Sequence, residues 1–329
     1  MKARVLVTRR FDPEGLGPLW DPCEVKYHDE DTPLPYEDLL DGVAEADALI
    51  CTVTDRVDDE VLATAKNLRV ISTVSVGYDH IDLEGATRYG ILVTNTPDVL
   101  TETTADLTWA LILATARRIT EGDQMVRQGR FRQWSFLGFL GMDVHGKVLG
   151  IIGMGRIGMA VARRAAGFDM RVIYNKRFRL PEEVEKALKA TYDEREALLA
   201  SSDFISLHVP LNEETHHMIS DREFRLMRPT TILINASRGP VVDEEALCRA
   251  LEQGRIAGAG LDVYEREPLV GPDLLKLPQV VLTPHVGSAT VETRKRMTQR
   301  AVLNCLEALE GKRPPDLLNP EVFRTGSAT

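Results

Sequence analysis

The chain has 329 residues, too many for one ordinary hydrophobic core, so we expect two domains. Hydrophobic residues at 43% and charged residues at 27% are typical of a globular protein. The net charge of -10 argues against nucleic-acid binding, which requires basic patches. The N-terminus has no apolar run of signal-peptide length, and no stretch reaches the roughly 20 apolar residues of a membrane span. We therefore expect a cytoplasmic protein.

Neither the cysteines nor the histidines form a pattern typical of a metal site. The adjacent His216 and His217 lie in a polar stretch, where we expect diverging surface side chains, and His208 in an apolar stretch is expected to be a hydrogen-bonded core residue. The cysteines lack a C-x-x-C pair, which favours free thiols over a disulfide or zinc. They are Cys23, Cys51, Cys248 and Cys305.

The N-terminal part alternates short apolar runs with helical patterns. Apolar runs without polar alternation are typical of strands buried on both faces, and the βαβα order predicts a doubly wound parallel sheet. The predicted strands cover residues 5–8, 48–52, 70–75 and 91–94, with a helix at 57–65.

A second βα series follows a long helix and irregular chain. The helix is predicted over residues 101–129, with Leu107, Ala110, Leu111 and Ala114 facing a sheet, and irregular chain over 131–142. The last helix, about 291–310, is expected to end at Gly311. The predicted strands cover 148–152, 171–174, 204–209, 231–235, 258–263 and 280–283, a complete nucleotide-binding complement.

A glycine pattern lies between the first strand of this series and the next helix. Gly153, Gly155 and Gly158 have G-x-G-x-x-G spacing. After a buried strand, this spacing is typical of a dinucleotide site, in which backbone approaches the pyrophosphate and the helix N-terminus donates N–H groups.

The next strand is followed by two cations, Lys176 and Arg177, where NAD sites usually carry an acidic residue. Cations would attract the 2′-phosphate of NADP(H), so the sequence favours NADP(H) over NAD(H), without excluding the latter. The alternative is an ordinary solvated basic turn.

Polar residues also follow three later strands, in residues 234–239, 260–268 and 282–290. Doubly wound folds bind ligands at the carboxyl ends of their strands. These distant segments can therefore meet at one site.

Together with residues 71–80 and 96–106, these three segments resemble those of the D-isomer-specific 2-hydroxyacid dehydrogenase family. The resemblance covers nearly the whole chain and is strongest to the glyoxylate/hydroxypyruvate reductases of that family. The resemblance implies an α/β fold with two doubly wound domains. A Rossmann cofactor domain, 100–285, would be inserted in a flavodoxin-like substrate domain, 1–99 and 286–329. It also implies NAD(P)H-dependent reduction of a small 2-keto acid to the D-2-hydroxy acid, and a homodimer.

The family places its catalytic residues at Arg238, Glu267 and His285, and the chemistry of these side chains agrees. Histidine titrates near neutral pH, so His285 is suited to protonate the carbonyl oxygen. Glu267 would hold the imidazole, and Arg238 would bind the carboxylate through its fork of donors.

The resemblance implies further contacts with the ligands. Val76 and Gly77 would hold the substrate carboxylate through backbone N–H groups. Trp134 lies where related reductases build a dimer arm, although a core position is the alternative. The implied cofactor positions, beyond the three glycines and two cations, are Thr104, Arg156, Ile157, Ala236, Ser237, Asp262, His285 and Gly287.

Two alternatives stay open. The substrate could be another acid of the family, such as D-lactate, D-3-phosphoglycerate, formate or phosphite, although Ser75 and Val76 stand where phosphite enzymes carry a lysine. The chain could also be a nicotinamide-sensing corepressor that binds a protein instead of turning over a metabolite.

Overall fold

A computed structural model describes residues 2–326, and the chain divides into two compact units. Met1–Leu100 and Ser288–Thr329 form one, here the terminal unit, and Thr101–Gly287 forms the other, the inserted unit. Within residues 2–326, none of the helices combines the length and apolar character needed to cross a membrane.

The terminal unit contains a five-stranded parallel sheet in the order β2-β1-β3-β4-β5. This is the flavodoxin-like order. The strands are β1 (Ala3–Val7), β2 (Cys23–Tyr27), β3 (Ala48–Cys51), β4 (Val70–Thr73) and β5 (Leu92–Thr94). The helices between them are α1 (Pro13–Leu16), α2 (Tyr36–Val43), α3 (Asp59–Thr64) and α4 (Leu83–Arg88).

The inserted unit begins with α5 (Thr101–Ala116) and α6 (Ile119–Arg127) and contains seven parallel strands. The strands are β6 (Val148–Ile152), β7 (Arg171–Asn175), β8 (Ala190–Tyr192), β9 (Phe204–Leu207), β10 (Ile232–Asn235), β11 (Gly258–Leu261) and β12 (Val280–Leu282). The helices are α7 (Arg156–Ala165), α8 (Glu182–Leu188), α9 (Arg195–Ser201), α10 (Asp221–Leu226) and α11 (Glu244–Glu252).

The strand order of the inserted unit is β12-β11-β10-β9-β6-β7-β8. Counted from β6, this is the dinucleotide-binding order 3-2-1-4-5-6 with one additional strand beside β11. The order reverses at β6, which pairs with both β7 and β9. Ligands of such sheets bind at the reversal, outside the carboxyl ends of the strands. The predicted fold class of two doubly wound parallel sheets is confirmed.

The C-terminal segment returns to the terminal unit as α12 (Val291–Leu309) and α13 (Pro320–Gly326). Helix α12 packs on α1, β3, β4 and β5. Its side chains Met297, Ala301 and Cys305 are fully or almost fully buried. As predicted, the helix stops just before Gly311, which has a positive φ of 77°.

The prediction of one helix over residues 101–129 is wrong. The chain turns at Arg118, whose left-handed backbone (φ 54°) precedes α6. One tertiary and one local contact stabilise the break, because the Ala116 carbonyl accepts from Met142 N–H and the Arg118 guanidinium binds Glu121 three residues on. The buried face of α5 also differs from the prediction, since Ala110 is exposed. That face instead includes Trp109, Leu111 and Ile112.

Candidate active site

The glycine loop connects β6 to α7 at the point where the strand order reverses. Gly153 has a φ of 97°, and a Cβ there would stand 2.3 Å from the His208 carbonyl oxygen. A Cβ on Gly158 would stand 2.4 Å from the Gly153 carbonyl oxygen. The packing of the loop against its neighbours therefore requires both of these glycines.

Gly155 differs from the other two glycines. A Cβ built on it meets no atom within 4 Å, and its φ of -87° is open to any residue. The protein itself gives no reason for glycine here, whereas a ligand in close contact with the backbone would. The N-cap Gly155 of α7 makes no side-chain cap hydrogen bond. A helix N-terminus directs the backbone N–H groups of its first turn, here those of Arg156 and Ile157, toward an anion. The loop thus fits a dinucleotide pyrophosphate.

Lys176 and Arg177 directly follow β7, beside the glycine loop, since Gly153 N–H donates to the Asn175 carbonyl oxygen at 2.9 Å. Arg177 forms an exposed ion pair with Glu214. Across the part of the chain that the structure describes, Lys176 has no ion pair. Arg179 forms two hydrogen bonds with Glu185 and is therefore committed to that contact.

Three loops carry the predicted catalytic residues, and they follow three neighbouring strands. Arg238 follows β10, Glu267 follows β11 and His285 follows β12. Because β10 pairs with β11 and β11 pairs with β12, all in parallel, the three loops leave the same edge of the sheet side by side.

His285 and Glu267 form a hydrogen-bonded pair. His285 Nδ1 lies 2.7 Å from Glu267 Oε2, and each side chain is about one third exposed, at 35% and 34%. Burial alone would raise the pKa of Glu267, but the hydrogen bond and charge of His285, aided by the backbone N–H of Tyr264 and the charge of Arg238, bring this pKa below its usual value. The pair leaves Nε2 of His285 for a substrate.

The backbone of the Arg238 loop is held by Asn235, which is almost fully buried at the end of β10. The Asn235 side chain donates to the Arg238 carbonyl oxygen at 2.9 Å and accepts from the backbone N–H and hydroxyl of Ser237. Ala236 completes this tight turn. The guanidinium of Arg238 in turn donates to the Ser237 carbonyl oxygen at 2.9 Å.

Asp262 holds the backbone of the His285 loop. Its carboxylate accepts from the N–H groups of Val286 and Gly287, both at 2.8 Å, and from the Thr283 hydroxyl at 2.7 Å. Its carbonyl oxygen accepts from His285 N–H at 2.9 Å. Burial raises the pKa of Asp262, although these donors oppose the shift. The loop therefore keeps His285 in its left-handed conformation, at a φ of 52°.

Thr104 lies in the second turn of α5 and is 5% exposed. A Cβ on Gly287 would come within 3.6 Å of the Thr104 hydroxyl, so Thr104 lines the side of the His285 loop. Its predicted position near the cofactor phosphates stays a prediction.

Val76 and Gly77 belong to the terminal unit and follow β4. The carbonyl oxygen of Val76 accepts from the Asn95 amide at 2.8 Å, and that of Gly77 accepts from the Ser75 hydroxyl at 2.6 Å. Both carbonyl groups are thus held by the terminal unit itself, an arrangement that fixes the peptide planes of this loop.

Sequence reasoning missed Asn235 and Tyr264 as supports of the site. They lie inside the segments 234–239 and 260–268, but only the fold shows their contacts. Tyr264 N–H donates to Glu267 Oε1 at 3.0 Å, and its hydroxyl donates to the Thr283 carbonyl oxygen at 2.8 Å. Burial and nearby carboxylates raise the pKa of Tyr264 to about 12, so the hydroxyl keeps its proton.

One prediction outside the catalytic loops needs correction. His216 and His217 do not diverge, because a φ of 50° at His217 stacks the two rings with centroids 4.1 Å apart. For Trp134 the alternative of a core position is excluded, because the side chain is 75% exposed, and the dimer-arm role stays a prediction. His208 is hydrogen-bonded to Ser206 at 2.8 Å as predicted, and burial lowers the pKa of its imidazole to about 4.

Residues 109–287 match the model of the D-isomer specific 2-hydroxyacid dehydrogenase NAD binding domain. The chain belongs to the D-isomer-specific 2-hydroxyacid dehydrogenase family. A relative in this dehydrogenase family, the glyoxylate reductase of Thermococcus gammatolerans, is 49% identical over 98% of each chain.

Solved structures place the chain in the same dehydrogenase family. The TT0316 protein of Thermus thermophilus aligns with a TM-score of 0.90 and 48% identity, covering 96% of this chain and 99% of that one. An NADPH-dependent glyoxylate/hydroxypyruvate reductase of Sinorhizobium meliloti, solved with NADP and malonate, aligns with a TM-score of 0.86 and 33% identity, covering 97% of each chain.

Proposed function

We propose that this chain reduces glyoxylate and hydroxypyruvate to glycolate and D-glycerate, with NADPH preferred over NADH. The observation that carries this proposal is the Glu267–His285 pair at 2.7 Å, one loop away from Arg238. The substrate class rests on the similarity to enzymes named glyoxylate reductase, whose sequences align with almost the whole chain.

The inserted unit, close to residues 100–285, is the proposed cofactor domain, and residues 1–99 with 286–329 the proposed substrate domain. In the substrate domain, the N–H groups of Val76 and Gly77 would bind the carboxylate of the keto acid. In the cofactor domain, the first turn of α7 would bind the pyrophosphate. The loop positions Ala236, Ser237, Asp262 and Gly287 would border the nicotinamide.

Arg238, Glu267 and His285 would each have a different role in the reduction. Arg238 would bind the substrate carboxylate and polarise the carbonyl, because its planar fork presents parallel donors. Protonated His285 donates Nδ1–H to Glu267 and would give its Nε2 proton to the carbonyl oxygen. A nicotinamide cofactor, when bound, would supply the hydride for the carbonyl carbon. His285 is then a neutral imidazole whose remaining proton lies on Nδ1, facing Glu267.

A direct assay tests the substrate assignment. Purified protein should oxidise NADPH with glyoxylate and with hydroxypyruvate at a higher kcat/KM than with pyruvate, and more slowly with NADH. Absorbance of the reduced nicotinamide measures each rate. A higher kcat/KM for pyruvate would assign the chain to a lactate-type enzyme, and the absence of turnover with every keto acid would favour the corepressor alternative.

The NADPH preference rests on Lys176 and Arg177 at the end of β7. The 2′-phosphate carries nearly two negative charges, and each charge-assisted hydrogen bond to it could contribute about 1.5–3 kcal/mol. The carboxylate of Glu214 competes for Arg177, but both side chains are exposed, at 65% and 71%. An exposed ion pair contributes little stabilising free energy, so a phosphate should displace Glu214 from Arg177.

Replacing both residues, Lys176→Gln with Arg177→Gln, should raise KM for NADPH about tenfold or more and change KM for NADH little. Salt should weaken NADPH binding more than NADH binding in the wild type, because exposed charges are screened. Lys276→Gln with Arg249→Gln removes the same charge from ion pairs with Asp273 and Asp221 and serves as the control. If the double variant at β7 keeps the wild-type ratio of the two KM values, the basic turn is ordinary surface.

We also propose a homodimer. The segment around residues 131–140 exposes a group of large apolar side chains, which is unusual for a surface that faces only water. Trp134, Phe136 and Leu137 are each more than 70% exposed. A second copy of this chain is the proposed partner that covers them.

A further inference from the structure

A second group of acidic and histidine side chains lies behind the catalytic pair. Glu265 comes two residues before Glu267, and its Oε1 lies 2.8 Å from His217 Nε2. Its backbone N–H donates to Glu244 Oε1 at 2.5 Å, while its Oε2 accepts from Glu244 N–H at 3.4 Å. The loop after β11 is therefore held at Glu265 by residues from two other segments.

His217 is also bonded to the Arg238 loop. Its backbone N–H donates to the Pro240 carbonyl oxygen at 2.7 Å, and Ile219 N–H donates to the Val241 carbonyl oxygen at 3.2 Å. Residues 217–219 thus run beside the chain that follows Arg238. One residue, His217, is joined through its backbone to the Arg238 loop and through its ring to the Glu267 loop.

The two loops are in direct contact. A Cβ on Gly239 would stand only 1.8 Å from the Tyr264 carbonyl oxygen, so the chain next to Arg238 presses on the peptide next to Glu265. Packing of this kind prevents the loops from moving closer, and the hydrogen bond between His217 and Glu265 prevents them from separating. The left-handed backbone at His217 turns its ring toward Glu265, and the stacked ring of His216 supports it.

We propose that His217 is a positioning residue for keto-acid reduction. Its hydrogen bond with Glu265 fixes the Glu267 loop against the Arg238 loop, so that His285 and Arg238 are directed at the same carbonyl group. This inference rests on the proposed function, because it takes Arg238, Glu267 and His285 as the reacting constellation. A displacement of about 1 Å in such a constellation can cost about a hundredfold in rate.

The negative charges around Glu265 also support a positioning role for His217. Burial raises the pKa of Glu244, and the carboxylates of Glu265 and Glu267 raise it further against the opposing Glu265 N–H. Three carboxyl groups therefore lie close together, and the ring of His217 donates to the one between the other two in sequence. Without that donor, Glu265 would be expected to move away from its neighbours and take the Glu267 loop with it.

The test compares His217→Ala, Glu265→Ala, the double variant and His217→Gln, whose amide can replace the Nε2 donor. The matched control is His145→Ala, which breaks another histidine–carboxylate pair of the inserted unit, 3.0 Å from Asp169 and highly exposed. Stopped-flow and steady-state assays with glyoxylate give kcat and KM, titration of protein fluorescence gives Kd for NADPH, and thermal unfolding gives Tm.

We expect His217→Ala to lower kcat by about tenfold to a hundredfold with Kd for NADPH unchanged. The double variant should be no slower than the slower single variant, because both remove one interaction. His217→Gln should recover most of kcat, and His145→Ala should match the wild type. A wild-type kcat for His217→Ala, or losses that multiply in the double variant, would overturn the proposal.

If His217→Ala does not fold, Glu265→Met decides, because it keeps the approximate length of the side chain and removes the oxygens that accept from the His217 ring. It should retain Tm within a few degrees and lose kcat several-fold, and an unchanged kcat rejects the role of the pair. His285→Ala, measured in parallel, distinguishes a failure of the positioning role of His217 from a failure of the proposed catalytic function. If His285→Ala is inactive while His217→Ala is normal, only the positioning role fails, whereas an active His285→Ala removes the catalytic assignment as well.

Discussion

His285→Ala should lower kcat for glyoxylate reduction by about 10²–10⁴-fold, the usual contribution of general acid catalysis. The alanine variant has no group that can deliver a proton to the carbonyl oxygen from the end of β12. Binding of NADPH should be nearly unchanged, since the backbone of this loop is held by the carboxylate of Asp262 and not by the imidazole. Steady-state kinetics and a fluorescence titration with NADPH measure the two effects separately. A variant that keeps a tenth of the wild-type kcat would show that His285 is not the proton donor.

The companion variant for this experiment is Glu267→Gln. Interaction with protonated His285 lowers the pKa of Glu267 against the effect of burial, and by reciprocity the Glu267 carboxylate stabilises the protonated imidazole. Glutamine cannot supply that charge, so the protonated imidazole loses a stabilising partner. Because reduction requires the protonated form, activity should fall first on the alkaline side. An unchanged pH–rate profile would exclude this role for Glu267.

Arg238→Lys should lower kcat/KM for glyoxylate by about tenfold to a hundredfold, which corresponds to the loss of one charge-assisted hydrogen bond of about 1.5–3 kcal/mol. Lysine keeps the positive charge but lacks the planar fork that can contact carboxylate and carbonyl oxygens together. It also cannot reproduce both the bond to the Ser237 carbonyl oxygen and a bidentate contact with substrate. We therefore expect KM to rise and kcat to fall together.

Arg228→Lys is the matched control for this variant. Arg228 precedes β10, whereas Arg238 follows it, so the same substitution is made at the two ends of one strand. Arg228 binds the Ala200 carbonyl oxygen and is partly exposed, so its replacement should leave the kinetics unchanged. Normal kinetics in Arg238→Lys would leave only a charge requirement at this position and contradict a bidentate contact.

The sequence predicts best those features that depend on local pattern. Strand β6 and the glycines after it were predicted with the observed bounds, because a parallel strand buried on both faces and a loop next to phosphate each restrict the residue type. The strands β2 and β8 were missed, and both lie at the edges of their sheets. An edge strand pairs on one side only, so it can be short and partly polar, as Cys23–Tyr27 and Ala190–Tyr192 are.

The features that the sequence did not predict depend on partners far along the chain. The break at Arg118 is stabilised by Met142, and the helical pattern itself continues across it. His217 looked like a surface residue because its neighbours in sequence are polar, yet its ring binds Glu265 from a segment 48 residues away. The predicted catalytic residues come from family motifs, whereas the contacts that support them became visible only with the strand order.

The discontinuity of the terminal unit has a consequence for its synthesis on the ribosome. The sheet β1–β5 emerges before the helix α12 that covers it. The Ser72 hydroxyl donates to the Ala301 carbonyl oxygen at 2.8 Å, and this hydrogen bond can form only after α12 has been synthesised. The inserted unit is continuous and can fold as soon as Gly287 has left the exit tunnel. The first hundred residues are therefore expected to expose the apolar underside of their sheet while the middle of the protein is already native. For those residues the nascent chain, not the finished protein, is the state most in need of a chaperone.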